Sequence, residues 1–307
     1  MSDSHHSSGP ATPTVLGDYT VLRLFSEGGH GRFVLATPPA RLGLSEPVVI
    51  KVVPGTQESG FRRFTRELKL FARVNSPHLV RLYDAGQHED VFFYSMEWCQ
   101  GGTLAEPGSE LSRSAKLHAI AGVARAAHDL HEAGIAHRDL RPGNILLRSD
   151  GSACLGDLGL AQLGSGSVTS MAPMASIGFV DPRLITGDNA GRASDIYSLG
   201  AVLHWALTGK HIHPGVEGVD PMMAVRSVLR QPPHIERDLL SAQEADLILA
   251  CTAASPEQRP GTALEVAELI ESLEATAAAP TNNADPTTKG NTDNRTTAAA
   301  AADDKGH

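Results

Sequence analysis

The sequence predicts an α+β fold of two lobes, in which a small antiparallel β-sheet lobe with one helix precedes a larger, mainly helical lobe. Two observations predict it. From Tyr19 to Met96, short apolar runs alternate with turn residues, as in β-strands. Beyond Gly101 and Gly102 the apolar spacing changes to the 3.6-residue period of helices. The chain of 307 residues is long enough for one large domain or two packed lobes.

The acidic composition restricts the partners of the chain. A net charge of −9 and a pI near 5.8 leave no basic excess to neutralise phosphates, so we expect neither nucleic acid nor an anionic membrane as a partner. No apolar run approaches the roughly 20 residues of a bilayer span, and no signal peptide opens the chain, so we expect a cytoplasmic protein. The 20 Arg against 6 Lys are typical of GC-rich coding and favour a bacterial source.

Both ends of the chain are expected to be disordered. Residues 1–16 are rich in Ser, His, Pro and Thr, and residues 276–307 have too few bulky apolar side chains to offset the entropy lost on ordering. We therefore expect the folded domain over 17–275. Its three cysteines, an odd number without C-x-x-C spacing, are predicted to be free thiols that pack as small apolar residues.

The small lobe is predicted to begin with three strands, Tyr19–Leu22, Arg32–Leu35 and Val48–Val53. A glycine cluster over residues 26–31 separates the first two, and such a hairpin lets backbone N–H groups approach phosphate oxygens. Lys51 lies in the third, apolar strand, where a charge is costly unless it has a partner.

A helix and two further strands are predicted to complete this lobe. The helix over 61–71 has Phe64, Leu68 and Phe71 on one face and carries Glu67. The strands are expected at 79–82 and 91–96. Residues 97–102 then form a linker, so the small lobe spans 17–96 and the large lobe 103–275.

The large lobe is predicted to contain several helices. The first helix is indicated by an apolar face, and we expect it to stop at Gly134. Another helix, beginning at Asp195, is apolar nearly all round, as expected for the buried axis of a lobe. Two late helices have capping boxes, Ser241-x-x-Glu244 and Thr262-x-x-Glu265. The face of the first helix consists of Leu117, Ile120, Ala124, Ala127 and His131.

The most informative stretch is the polar loop that runs from His137 to Leu147. Within it, Asp139 can accept a proton from a hydroxyl, and Asn144 can offer an amide oxygen to a hard cation such as Mg²⁺. Asp157, thirteen residues after Asn144, supplies a second oxygen ligand on a predicted tight turn. Together, these residues predict phosphate chemistry assisted by a divalent cation.

The loop and turn, in this order and spacing, resemble the Hanks-type (eukaryotic-like) serine/threonine protein kinases, whose motifs are H-R-D-L-x-x-x-N and D-F-G. The resemblance covers roughly residues 18–275. It implies a kinase-like fold that uses ATP with Mg²⁺, or Mn²⁺, to phosphorylate protein hydroxyls. The protein substrate is unknown, and self-association for trans-autophosphorylation is the other expected interaction.

The resemblance also implies roles for individual residues. Asp139 orients the acceptor hydroxyl, Arg141 stands near the γ-phosphate, and Lys51, paired with Glu67, anchors the other phosphates. Met96 is the gatekeeper, and Asp195 ties its helix to the catalytic-loop backbone. The implied metal ligands are Asn144 and Asp157. The implied nucleotide contacts are Gly28, Gly29, Gly31, Phe33, Val49, Lys51, Glu97, Cys99 and Leu146.

Several positions depart from the family pattern. Ser26 replaces the first glycine of the glycine-rich loop, Phe33 replaces the valine that covers adenine, and Leu158 replaces the Phe of D-F-G. Arg183 replaces the glutamate of A-P-E, which in the family pairs with an arginine matching Arg259. Because two guanidinium groups repel each other, we predict that Asp181 or another acid pairs with Arg259 instead.

The acceptor and the activation step follow from neighbouring residues. Ser176 stands where a threonine favours Ser/Thr acceptors, although Arg141, in place of the usual lysine, does not fix the acceptor alone. Arg138 is expected to pair with a phosphorylated activation loop. The hydroxyls available there are Ser165, Ser167, Thr169 and Ser170.

Two alternatives stay open on the sequence alone. The first is a pseudokinase that binds nucleotide or acts as a scaffold, which the changes at Ser26, Phe33 and Arg183 favour. The second is a small-molecule kinase, against which stands a segment before Asp195 that resembles a peptide-binding loop. The pseudokinase alternative is opposed by the presence of five residues, since inactive kinases usually lack one or more of them: Lys51, Glu67, Asp139, Asn144 and Asp157.

Overall fold

The computed structural model describes residues 15–28, 31–54, 65–66, 68–106, 111–157, 174–189 and 191–278. It has the two lobes that the sequence predicts. Most of the predicted leader and tail, 1–14 and 279–307, lies outside the described residues. No helix in the described ranges is both long enough and apolar enough to cross a membrane.

The small lobe is built on one antiparallel sheet in the order β1-β2-β3-β4-β6-β5. Strands β3 and β4 pair so that Phe33 lies opposite Lys51, and β4 and β6 pair so that Lys51 lies opposite Tyr94. Its strands are β1 (Val15–Leu16), β2 (Tyr19–Gly28), β3 (Gly31–Thr37), β4 (Val48–Pro54), β5 (Leu82–His88) and β6 (Val91–Glu97).

The start of the sheet lies earlier in the chain than the sequence suggests. Val15 and Leu16 pair with the beginning of β2, and Leu16 is 2% exposed in a small core beneath the sheet. The burial of Leu16 places the edge of the folded domain within the segment that we expected to be a disordered leader.

The predicted strand at 79–82 is wrong for most of its length. Leu79 forms an isolated parallel bridge with Leu155 of the large lobe, and the small-lobe strand begins only at Leu82. Leu79 and Val80 are buried in the main core. This apolar run is therefore used to join the lobes and not to extend the sheet.

The α-helix that the sequence predicts in the small lobe is only partly described. Residues 65–66 and 68–71 are helical, and Leu68 and Phe71 are buried as predicted. Phe64 and Glu67 lie outside the described residues.

The large lobe contains the helices that follow the linker. A two-stranded antiparallel sheet, β7 (Ile145–Leu147) with β8 (Ala153–Leu155), carries the polar loop and the turn at Asp157. Short 3₁₀ helices occur at Ala40–Leu42, Pro142–Asn144, Met174–Phe179, Arg237–Leu239 and Pro256–Gln258. The helices are α1 (Arg113–Glu132), α2 (Pro182–Ile185), α3 (Arg192–Thr208), α4 (Pro221–Arg230), α5 (Ala242–Cys251) and α6 (Ala263–Ala278).

Helix α1 confirms the predicted apolar face, because all five residues of that face are buried. The helix ends at Glu132, and Gly134 follows with a φ of 77°, a conformation that glycine adopts without a Cβ clash. Helix α6 continues to Ala278, three residues beyond the expected end of the domain.

Helix α3 is the buried axis of the lobe, as its composition predicts. Its buried side includes Gly200, where an added Cβ would stand 2.5 Å from the Cβ of Cys251 on α5. The helix begins at Arg192, so Asp195 lies in its first turn. The close approach at Gly200 lets α5 pack directly on the axis that positions Asp195.

The two predicted capping boxes differ in the structure. At α5, the Ser241 hydroxyl accepts the N–H of Glu244, and the Glu244 carboxylate accepts the N–H of Ser241. At α6, Thr262 accepts the N–H of Glu265, but the Glu265 carboxylate accepts the N–H of Gly261, one residue earlier. Both helices are therefore capped, although only the first has the reciprocal box.

Candidate active site

The polar loop between α1 and β7 is held in place by Asp195. The Asp195 carboxylate accepts the backbone N–H of His137 at 2.7 Å and that of Arg138 at 2.8 Å, and it lies 2.8 Å from Nε2 of His131. Arg138 has a φ of 70°, a left-handed conformation that is uncommon outside glycine. These bonds confirm the expected structural role of Asp195, because they fix the strained turn on which Asp139 stands.

His137 connects the loop to the turn at Asp157. Its Nε2 lies 3.0 Å from the carbonyl oxygen of Gly156, and the Gly156 N–H donates to the carbonyl oxygen of Asn144 at 2.8 Å. Asp157 itself has a φ of 48°. Backbone bonds therefore place Asp157 beside Asn144, as a shared metal site requires.

Asp139 is 6% exposed and is fixed by its own loop. The Asn144 amide nitrogen donates to the Asp139 backbone oxygen at 2.7 Å and to its carboxylate Oδ2 at 2.9 Å. The Arg141 Nε lies 3.4 Å from the same Oδ2. The loop thus presents one carboxylate flanked by an amide and a guanidinium group.

Lys51, which is 2% exposed, forms an ion pair with Asp157 from the opposite lobe. Tyr94 completes this cluster, since its hydroxyl donates to Asp157 Oδ1 at 3.0 Å. Burial and the Asp157 carboxylate raise the pKa of Tyr94 well above its usual value, so the hydroxyl remains a donor. Tyr94 is not among the site residues predicted from the sequence. The feature that identifies it is its position opposite Lys51 in the β4–β6 pair.

Phe33 is the other cross-strand neighbour of Lys51. The Lys51 Nζ lies 5.3 Å from the centroid of the Phe33 ring, within the range of a cation–π interaction. The aromatic side chain that replaces the family valine therefore lies beside Lys51, which the resemblance implies as the phosphate anchor.

The linker is anchored by a residue that sequence reasoning missed. Arg148, directly after β7, donates to the two Glu97 carboxylate oxygens at 2.6 Å and 3.1 Å. Although burial opposes ionisation, the hydrogen bonds from Arg148 lower the pKa of Glu97. The Glu97 side chain is thus committed to holding the linker, which leaves only its backbone for the expected adenine contact.

The other residues that the resemblance implies as nucleotide contacts lie in β4, β7 and the linker. Val49 lies opposite Met96 in the sheet, and the latter is buried as a gatekeeper would be. Leu146 packs so closely beneath the turn that a Cβ on Gly156 would lie 2.7 Å from its Cδ1. Cys99 lies in the linker and is 9% exposed.

Several predicted site residues fall partly or wholly outside the described residues. Gly28 and Gly31 form the last pair of the β2–β3 ladder, whereas Gly29 and Glu67 are outside, so the predicted Lys51–Glu67 pair stays a prediction. The same holds for Leu158 and the hydroxyls at 165–170, and the Ser176 side chain is likewise not described.

The donor set of the cleft fits a divalent cation. Asn144 turns its amide nitrogen towards Asp139, which orients its amide oxygen away from that residue. In the described structure, the contacts from Lys51 and Tyr94 both go to Oδ1 of Asp157. An amide oxygen and a carboxylate oxygen are ligands that Mg²⁺ prefers.

The acid that pairs with Arg259 is Asp181, as predicted. The Arg259 guanidinium donates to Asp181 Oδ2 at 2.5 Å, and both side chains are almost fully buried. Arg183 points elsewhere and donates to Asp188 at 2.6 Å. The ion pair that the A-P-E glutamate makes in the family is therefore replaced by one from a residue two positions earlier.

Comparison with known proteins agrees with this geometry. The family model of the protein kinase domain matches residues 19–271 of this chain. The serine/threonine-protein kinase PrkC of Bacillus subtilis is 30% identical over 259 residues, which are 81% of this chain and 39% of PrkC. The serine/threonine-protein kinase PknB of Mycobacterium tuberculosis is 30% identical over 278 residues, which are 84% of this chain and 44% of PknB.

The fold agrees as well. The crystal structure of the Mycobacterium tuberculosis PknI kinase domain superposes with a TM-score of 0.64 at 24% identity and covers 84% of this chain and 96% of that one. The chain spans less than half the length of the two curated relatives. A family match over most of the chain and the shared two-lobed fold lead to one conclusion: the chain belongs to the protein kinase domain family.

Proposed function

We propose that the chain is a protein kinase that transfers the γ-phosphoryl group of ATP to serine or threonine hydroxyls. One observation carries the proposal: an unbroken set of contacts joins Lys51 to Asp157, Asp157 through Gly156 to Asn144, and Asn144 to Asp139. These contacts support a single site in which Lys51 is the phosphate anchor, Asn144 and Asp157 are the metal ligands and Asp139 is the proton acceptor. The relatives PrkC and PknB are named as serine/threonine-protein kinases, which supports serine and threonine as acceptors.

The residues of the chain act mainly by position and charge. Lys51, released from Asp157 when nucleotide binds, holds phosphate oxygens, because an ammonium in a buried site binds an anion strongly. Asp139 orients the acceptor hydroxyl and takes its proton. Arg141, beside Asp139, contributes positive charge where the phosphoryl group is transferred.

Asn144 and Asp157 would hold Mg²⁺, or Mn²⁺, which supplies neutralising charge to the phosphates. The residues that would contact the adenine are in the linker and in the roof formed by Val49 and Phe33. We also propose a cytoplasmic location and, as an interaction, pairing of two copies for trans-autophosphorylation. The protein substrate is for experiment to identify.

The direct test compares wild type with Asp139→Asn in the presence of labelled ATP, Mg²⁺ and a library of serine, threonine and tyrosine peptides. The substitution keeps the shape of the side chain but removes the proton acceptor. We expect transfer to fall by about 10²–10⁴-fold while ATP affinity stays the same. Label on serine or threonine, identified by mass spectrometry, is the supporting result.

Asp150→Asn is the matched control, because Asp150 is an exposed carboxylate in the turn between β7 and β8 whose described bonds are to Ser152. This variant should phosphorylate peptides as the wild type does. If wild type binds ATP and transfers nothing to any peptide or to itself, the chain is a nucleotide-binding scaffold and the proposal fails.

A further inference from the structure

Two of the three cysteines touch each other behind the nucleotide cleft. Cys99 lies in the linker and Cys154 in β8, and their sulfur atoms are 3.4 Å apart. Both are free thiols; Cys99 is 9% exposed and Cys154 is fully buried. The third, Cys251, packs against Gly200 on the far side of α3. The sequence predicts free thiols that pack as small apolar residues, but it does not predict this contact.

The surroundings of the pair favour sulfur chemistry over metal binding. Glu97 lies near enough to both thiols to complete a three-ligand cluster. However, Arg148 already holds both carboxylate oxygens of Glu97. A metal ion would have to displace this guanidinium cation and then remain beside it, which is electrostatically unfavourable.

We propose that Cys99 and Cys154 form a reversible intramolecular disulfide when the protein meets hydrogen peroxide, and that this bond fastens the interlobe linker to β8. A disulfide requires about 2.05 Å between the sulfur atoms, so the two must approach by roughly 1.4 Å. Rotation about the two Cα–Cβ bonds and a small backbone shift supply that distance. The reacting pair is thus already in van der Waals contact.

The reaction is balanced by one molecule of peroxide. Cys99 reacts first because it alone of the two has exposed surface: its sulfur attacks a peroxide oxygen, the O–O bond breaks, and a sulfenic acid and one water form. The Cys154 sulfur then attacks the Cys99 sulfur, and the S–O bond breaks to release a second water. The two thiols lose two electrons and peroxide gains them.

The environment of Cys154 explains why it takes the second step. Its hydrogen bond with Cys99 and its burial raise the pKa of the Cys154 thiol above the usual range, while the nearby Arg148 opposes the shift. Cys154 therefore keeps its proton until its neighbour has become an electrophile.

The position of the bond gives it a consequence for the cleft. Cys154 precedes Asp157 by three residues, and Cys99 belongs to the linker segment that is expected to contact adenine. A bond between them would fix the linker relative to the turn that carries the metal ligand. This consequence rests on the proposed function, whereas the formation of the bond does not.

The test counts thiols in the full-length chain. Reduced protein is treated with peroxide, quenched in acid, unfolded and alkylated, and its intact mass is measured. We expect the label to fall from three alkyl groups to one, with a loss of two hydrogens, and a reducing agent to restore all three. Trypsin places the three cysteines on separate peptides, so the linked pair can be identified directly.

Three variants complete the design. Cys251→Ser should still form the bond, while Cys99→Ser and Cys154→Ser should not. If peroxide links Cys251, links two chains, leaves three free thiols, or drives Cys99 to an irreversible acid, the proposal is overturned. One zinc per chain that protects both thiols would overturn it as well.

ATP affinity of the oxidised and reduced forms is the second readout. The two forms of wild type should differ in affinity, and the two treatments of Cys154→Ser should not. Equal affinities in wild type would refute the effect on the cleft. A chain that forms the bond but binds ATP in neither form would confirm the disulfide and contradict the proposed function, so the two failures are distinguishable.

Discussion

Two aspartates of the large lobe, the buried Asp195 and the partly buried Asp157, show how the same side chain can serve different purposes. Asp195 accepts two backbone N–H groups and contacts a histidine, all within the large lobe. Asp157 contacts the side chains of Lys51 and Tyr94, both from the small lobe. Backbone donors cannot leave without unfolding the loop, whereas side chains can exchange a carboxylate for a ligand. The backbone bonds of Asp195 therefore stabilise the fold, whereas the side-chain contacts of Asp157 can be exchanged for a ligand.

The largest expected effect tests the structural aspartate. Asp195→Ala leaves two buried N–H groups without their acceptor, and we expect it to lower the free energy of unfolding by about 3–5 kcal/mol, measured by urea denaturation. Asp188→Ala is the control, because its ion pair with Arg183 is exposed and should contribute less than about 1 kcal/mol. A loss at Asp195 no larger than that at Asp188 would remove the basis of the comparison.

A second prediction concerns pH and the same helix, α3. His213 is fully buried with Nε2 2.8 Å from the Tyr197 hydroxyl, and burial lowers its pKa from 6.5 to about 4. Between these two values the unfolded chain binds a proton that the folded chain does not. Stability is therefore complete above pH 6.5 and falls as the pH drops towards 4, by about 3 kcal/mol from this group.

His213→Gln keeps a hydrogen-bonding group at the same site but cannot titrate. Denaturation curves measured from pH 4 to 7 should show a smaller pH dependence for this variant than for wild type. His118→Gln, which changes an exposed histidine, should reproduce the wild-type slope. An unchanged slope in His213→Gln would assign the acid sensitivity to other groups.

The third prediction concerns Asp157, the functional member of the comparison. ATP with Mg²⁺ at one hundred times its Kd should stabilise wild type by about 2.7 kcal/mol, because the ligand binds only the folded chain. Asp157→Asn should lose the part of this stabilisation that depends on Mg²⁺. A thermal shift that is equal with Mg²⁺ and with EDTA in wild type would argue against Asp157 as a metal ligand.

The smallest expected effect belongs to Tyr94. Tyr94→Phe removes one buried hydrogen bond to Asp157 but leaves the Lys51 ion pair, and we expect a loss of about 1 kcal/mol in the free energy of unfolding. Tyr19→Phe is the comparison variant, since the Tyr19 hydroxyl bonds to Asp84 and Ser95 far from the cleft. Only Tyr94→Phe should also alter ATP affinity, because only Tyr94 bonds to Asp157, the proposed ligand of the Mg²⁺ that accompanies ATP.

Local patterns predicted the parts of the fold that depend on near neighbours in sequence. The apolar face of α1, the stop at Gly134 and the Ser241 cap depend on residues a few positions apart. The strand predicted at 79–82 was mostly wrong, because a short apolar segment fits a strand or a buried connection equally well. Its real partner is Leu155, which no local pattern reveals.

The contacts of the site also divide into those that sequence motifs predict and those that they do not. The kinase motifs correctly indicated that Asp195 binds the catalytic loop, and charge repulsion correctly predicted an acid for Arg259. Tyr94, Arg148 and the Cys99–Cys154 contact were missed, because each joins residues more than fifty positions apart. Such contacts depend on how strands pair and lobes pack.

The Arg148 clamp has a mechanical consequence for the molecule. One guanidinium group holds both oxygens of Glu97 and also donates to the carbonyl oxygens of Pro77 and Leu79, so three points on the small-lobe side meet one residue of the large lobe. A rotation of the lobes about Arg148 would therefore move the atoms bonded to this residue least and the atoms farthest from it most.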